Sequence, residues 1–94
     1  MTGEKIIELG VFYHTQLYEM GITGSRQANR HKKPLPKEEG LSHARWMSLR
    51  MIELVDQGRI EKAFRWLGHI QGLLVAYGVY SINEVKEHSR PTEE

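Results

Sequence analysis

The residues best suited to chemistry gather in one stretch, GRIEKAFRWLGHIQGLL, residues 58–74, where Arg59, Lys62, Trp66 and His69 recur at steps of three and four. Such steps stack side chains on one helical face. Two cations beside an indole suit an anion, since charge-assisted bonds hold phosphate or carboxylate oxygens while the ring stacks on a base. A ligand site made of Arg59, Lys62, Trp66 and His69 is therefore one reading of this flank. The flank also carries Leu73, and leaving a Trp beside a Leu in water costs on the order of several kcal/mol. A cover from the first helix of the chain, or from a second subunit, is the other reading. Glu61 and Arg65 stand at i and i+4 in the favourable order, which predicts a local ion pair and sets Arg65 apart from the ligand set.

A second basic group is Arg26, Arg30, Lys32 and Lys33, which with Lys37 hold five of the thirteen Lys and Arg in the segment GITGSRQANRHKKPLPKEEGL. These four, with His43 and Arg45 just beyond, are the candidate partner-binding surface. His14, His31, His43, His69 and His88 form no pair at helical spacing and no HExxH pattern, so no metal site is expected. Catalysis needs an activated nucleophile or two carboxylates in contrasting environments. The acids fall at helix starts, in the loop and in the tail, and GxGxxG, GKS/GKT and GxSxG are absent. The sequence predicts a protein without catalytic activity and without a cofactor.

The elements that must position these residues follow from apolar spacing. Ile6, Leu9, Tyr13, Leu17 and Met20 predict a helix over 4–20, although Gly10 and the run Val11-Phe12-Tyr13 would also suit a strand. Residues 21–41 read as a basic loop, rich in Gly and Pro. Ser42 suits the N-cap of a second helix whose face is Ala44, Met47, Met51, Ile52 and Val55, with Leu49 and Leu54 at its edges. Gly58 closes it, and the short DQG connection forces an antiparallel hairpin with a third helix. There Ile60, Ala63, Phe64, Leu67, Ile70, Leu74 and Tyr77 predict the core face, with Gln71 its one polar member. After Gly78, the string Ser81-Ile82-Asn83-Glu84 has the form of a capping box opening a short last helix. The expected fold is all-α: a hairpin over 42–77, an N-terminal helix packed on it and a short C-terminal helix, in one domain of residues 1–90 with a frayed acidic tail at 91–94.

Composition narrows the function classes. Thirteen Lys and Arg against twelve Asp and Glu leave a formal charge of +1, so any attraction to nucleic acid or anionic lipid is local. The lack of Cys excludes thiolate catalysis and Cys-based zinc sites and suits a reducing compartment. No run reaches the roughly 18 apolar residues of a membrane span. A cytoplasmic protein is expected. Short helices make a thin core, which predicts a homodimer or higher oligomer.

The strings Ser42-His43-Ala44-Arg45-Trp46-Met47 and GRIEKAFRWLGHIQG resemble small helical proteins of tailed bacteriophages and prophages. The resemblance spans residues 41–87 and implies provenance: host-takeover or counter-defence factors that act by binding, in the host cytoplasm. A looser similarity, carried by the hairpin, the Arg-Trp-Leu string and a later Gln-Gly, is to phage anti-CBASS and anti-Thoeris sponge proteins, oligomers that sequester cyclic nucleotide signals. The long basic loop departs from that pattern, and no site residue transfers. The expected function is therefore an interaction protein binding a host macromolecule. An oligomeric module holding a nucleotide, and nucleic-acid binding by the basic loop, are the alternatives. Leu67, central on the predicted core face, supplies the first test. Leu67→Ala should cost on the order of 2–5 kcal/mol in urea unfolding, and an unmoved transition would refute this helix register.

Overall fold

The computed structural model describes residues 1–25 and 36–91, and among these the fold is all-helical. Four helices follow in order: α1 (Gly3–Glu19), α2 (Lys37–Asp56), α3 (Ile60–Ala76) and α4 (Ile82–His88). α2 is central, with α1 on one side and α3 on the other, while α1 and α3 touch along a shorter line. Both packings are antiparallel. Gly3 lies against Val55, Gly10 against Ser48 and Ile52, and Arg45 reaches back to His14, while Gly40 meets Tyr77 across the open end of the hairpin.

The turns follow directly from sequence. Gly21, Gly58 and Gly78 follow the C-caps of α1, α2 and α3 with φ of 81°, 76° and 76°, where a Cβ would be strained. Each glycine completes the double-bonded Schellman closure. At the α2–α3 turn the Gly58 amide donates to the Val55 carbonyl at 2.9 Å and the Arg59 amide to the Leu54 carbonyl at 2.8 Å. α3 starts immediately, since the Ala63 amide already donates to the Arg59 carbonyl. The capping box of α4 forms as expected, Ser81 and Glu84 satisfying each other's amides.

The core joins Ile6, Leu9, Tyr13 and Leu17 of α1, Leu41, Ala44, Met47, Met51 and Leu54 of α2, and Ala63, Leu67, Ile70 and Leu74 of α3. Three expectations need correction. α2 begins at Lys37, so Ser42 is no N-cap: it lies buried inside the helix and its Oγ accepts the Ser25 amide at 3.0 Å. Pro36 at the cap and Glu38 and Glu39 in the first turn start the helix instead, the carboxylates favoured by the helix dipole. Phe64 is half exposed, at 52 %, because about 100° per residue swings it nearly a quarter-turn off the mid-line of Ala63, Leu67, Ile70 and Leu74. Met20 is the C-cap of α1 and is exposed. Arg26, Arg30, Lys32 and Lys33, and the tail residues 92–94, lie outside the described residues.

Gly10, the sequence argument against a first helix, is explained by the crossing of α1 and α2. A Cβ there would stand 2.9 Å from Ile52 Cγ1 and 3.0 Å from the Ser48 carbonyl oxygen, so the bare backbone lets the helices close up. Gly72 of α3 has nothing within 4 Å of such a carbon. Gly72→Ala should therefore stabilise by roughly 0.5–1 kcal/mol through helix propensity. Gly10→Ala gains the same propensity yet must push two backbones apart, and a net loss of about 1–2 kcal/mol is expected. Parallel urea titrations that moved both variants in the same direction would contradict the crossing.

Candidate functional site

The α2–α3 hairpin carries a strip of aromatic rings and cations on one side. On α2, His43, Trp46 and Arg50 follow at three and four residues, and on α3 Arg59, Lys62, Trp66, His69 and Leu73 do the same. The rings of Trp46 and Trp66 meet across the helix pair at 6.0 Å between centroids. His43 stacks on Trp46 at 5.8 Å and 15°, and the Arg50 guanidinium lies 5.9 Å from the same indole. Lys62 Nζ lies 5.8 Å from the Trp66 centroid. Both indoles are half-buried.

The cover of Trp66 is thus Trp46 of α2, which neither sequence reading named. α1 lies elsewhere: Gln71, which reaches Tyr13 of α1, is about 140° round α3 from Trp66. Of the four candidate ligand residues, the structure brings Lys62 and Trp66 into contact. Arg59 sits exposed at the N-cap one turn before, and His69 exposed one turn beyond. Trp46 and Arg50 are the residues that sequence reasoning missed in this role. A hairpin turning at Gly58 sets Arg50 opposite Trp66 and Trp46 one turn away, so register arithmetic was the available signal.

The charges of the strip are unevenly paired. Arg50 is bonded to Glu53 on its own helix. Other ion pairs join Lys5 to Glu8 and Arg90 to Glu87, and among the described residues Arg59, Lys62 and Arg65 are in none. The expected Glu61–Arg65 pair does not form.

Arg45, expected as a partner-binding cation, is turned inward. Its Nη1 donates to the Ile22 carbonyl at 2.9 Å, its Nε donates to His14 Nδ1 at 3.2 Å, and its guanidinium lies 5.1 Å from the Tyr18 ring centroid. It clamps the segment after α1 onto α2. Burial and the Arg45 charge lower the His14 pKa, consistent with a neutral imidazole accepting that bond.

A second polar cluster joins α1, α3 and α4. Gln71 Nε2 donates to the Tyr13 hydroxyl oxygen at 3.0 Å and to Ser89 Oγ at 2.8 Å, and Ser89 Oγ donates to the Val85 carbonyl. Since the Tyr13 oxygen accepts from Gln71, its own proton is directed to His88 Nδ1 at 2.9 Å. His88 sits edge-on to Phe12 and Tyr80. The phenol of Tyr13 is fully buried, which suits a structural bolt and denies a substrate access. Two open clefts of about 360 and 440 Å³ flank α4 and share Ser89 and Pro91, but no convergent catalytic set lines either. Among the described residues no group of three or more His, Asp or Glu is placed to hold a metal ion, and no helix is long and apolar enough to cross a membrane.

No protein-family model, curated protein or solved structure gives a match to this chain. The site is therefore read from its own geometry.

Burial, with Tyr80 adding to it, pushes the Tyr13 phenol up to about 12 against the opposing bond from Gln71. Below pH 10 the phenol is protonated folded and unfolded, and stability is unaffected by it. As pH rises from about 10 to about 12 the unfolded chain loses that proton while the folded chain keeps it, so stability should fall, by at most about 2–3 kcal/mol. Tyr13→Phe starts less stable, having stranded Gln71 and His88, and its stability should decline less over the same interval in denaturant titrations. An equal decline in both proteins would mean the bolt does not hold its proton in the fold.

Proposed function

We propose that this chain is a non-enzymatic interaction protein that binds a host macromolecule through the Trp46–Trp66 strip of the α2–α3 hairpin. The observation that carries this reading is the pair of half-buried indoles with Lys62 against Trp66 and Arg59 one turn before it, neither cation being in an ion pair among the described residues. Trp and Arg dominate binding energy at protein interfaces because they combine large apolar area with a polar handle. The resemblance to tailed-phage proteins fits a host-takeover or counter-defence role, with the basic residues Arg26, Arg30, Lys32 and Lys33 as a further contact surface.

Nucleotide sequestration by Arg59, Lys62 and Trp66 is less favoured by the geometry. A stacked base needs a bare ring face. Here Lys62 lies over Trp66, and His43 and Arg50 attend Trp46. A nucleotide released on heat denaturation would restore that reading. Self-association rests on exposed Phe64, off the strip on α3; a monomer in light scattering at micromolar concentration would remove it.

The test is capture of a host protein from bacterial lysate on the immobilised chain. Arg59→Ala/Lys62→Ala should still fold, at a cost of about 0.5–1 kcal/mol: Arg59, though at the N-cap of α3, makes no side-chain capping bond, and the half-buried Lys62 gives up its contact with Trp66. Loss of two charge-assisted contacts should cut retention of that protein more than about tenfold. Undiminished retention would remove the strip as its docking surface.

A further inference from the structure

Resting on that reading, we infer that the occupant of the strip is an acidic protein segment carrying apolar or aromatic side chains, with its carboxylates on Lys62 and Arg59 and its apolar groups against the half-buried Trp66 and Leu73. Charge complementarity selects this class. On α3 the strip face runs Arg59, Lys62, Trp66, His69, Leu73 and contains no acid, while Glu61 and Arg65 lie round the helix. On α2 the acids of the same face are Glu53, already bonded to Arg50, and Glu39 at the far end beyond His43. The uncompensated charge therefore sits at the Gly58 end, beside the indoles.

The backbone under that charge is rigid. Arg59 donates its amide to the closure of α2 and its carbonyl accepts the first bond of α3, so its Cα is fixed by both helices. Lys62 is half-buried, its Nζ 5.8 Å from the Trp66 centroid. A carboxylate arriving at Lys62 meets a cation partly shielded from water, where charge pairing is stronger than on an open surface. A phosphate backbone meets the same cations. What separates the two classes is apolar contact: nucleic acid needs bare ring faces for its bases, and here Lys62 lies against Trp66 and His43 and Arg50 against Trp46, beside the half-buried Leu73.

Both tryptophans of the chain lie in the strip, so intrinsic tryptophan emission reports on it alone. The experiment titrates the full chain at low salt with three polyanions, exciting where tyrosine does not absorb: a glutamate–tyrosine copolymer, polyglutamate, and oligothymidylate. The copolymer should shift the emission and bind at least about tenfold tighter than either of the others. Arg59→Ala/Lys62→Ala should weaken it about tenfold or more with the helical circular dichroism retained, and Arg65→Ala, off the strip, should bind like the parent.

Three results would overturn the inference. Oligothymidylate binding as tightly as the copolymer would assign the strip to nucleic acid, leaving it a binding surface with a different partner. Equal loss in Arg65→Ala would mean that overall charge and not the strip is responsible. No emission change with any polyanion would remove the acidic partner class, and the lysate capture then decides separately whether the strip binds a protein at all.

Discussion

Everything in this fold depends on how closely α1 and α2 cross at Gly10. With no Cβ there, the Ser48 carbonyl and Ile52 approach the α1 backbone, and Ser48 itself keeps its hydroxyl internal by donating to the Ala44 carbonyl at 2.8 Å. That approach seats Ile6, Leu9, Tyr13 and Leu17 in full contact with the hairpin. Tyr13 then stands deep enough for its hydroxyl to meet Gln71 of α3 and His88 of α4. α4, which buries no residue of its own, is held by this meeting and by the rings of Phe12 and Tyr80. A glycine that weakens its own helix by about 1 kcal/mol thus supports the attachment of two others.

The same geometry divides the hairpin into two sides with different duties. One side receives α1 and is closed by the Tyr13 bolt. The other receives nothing among the described residues, and its side chains cover one another, Trp46 on Trp66, with Arg50 and Lys62 over the rings. Such cation–π contacts contribute about 0.5–1 kcal/mol each at exposed sites, enough to orient side chains and too little to make the strip a second core.

The fold was largely legible because its signals are local. Gly21, Gly58 and Gly78 stop helices by a backbone requirement, and the Ser81–Glu84 box starts one by its own bonds. The start of α2 was not legible because its determinants are tertiary. Gly40 would weaken that turn, yet the Tyr77 ring lies where its Cβ would be, and Leu41 reaches the core from what reads as loop. Ser42 has the chemistry of a cap and uses it on Ser25 across the fold. Gln71 looked anomalous on an apolar face until Tyr13 and Ser89 supplied its partners. Of the site, Lys62 beside Trp66 follows from helical spacing, whereas Trp46 belongs to the pairing of two helices. Arg45 reads as a surface cation from its neighbours and is claimed by a carbonyl twenty-three residues earlier.

Polar residues that hold the fold and the cations at the Gly58 end of the strip are therefore distinct sets. Tyr13, Gln71, His88, Ser89, Ser42, Ser48 and Arg45 are tied internally, and among the described residues no buried side-chain nitrogen or oxygen lacks a partner. A bond broken in that set leaves a buried group unsatisfied, at a cost of about 1–3 kcal/mol. Arg59 and Lys62 carry no such obligation: among the described residues neither is in an ion pair, and Lys62 stands against an indole that the fold leaves half-buried. Folding alone gives little reason to place a cation in no ion pair against Trp66, since a glutamate at the same spacing would solvate the helix as well. An incoming carboxylate would gain from both features at once, and could be exchanged without disturbing the core.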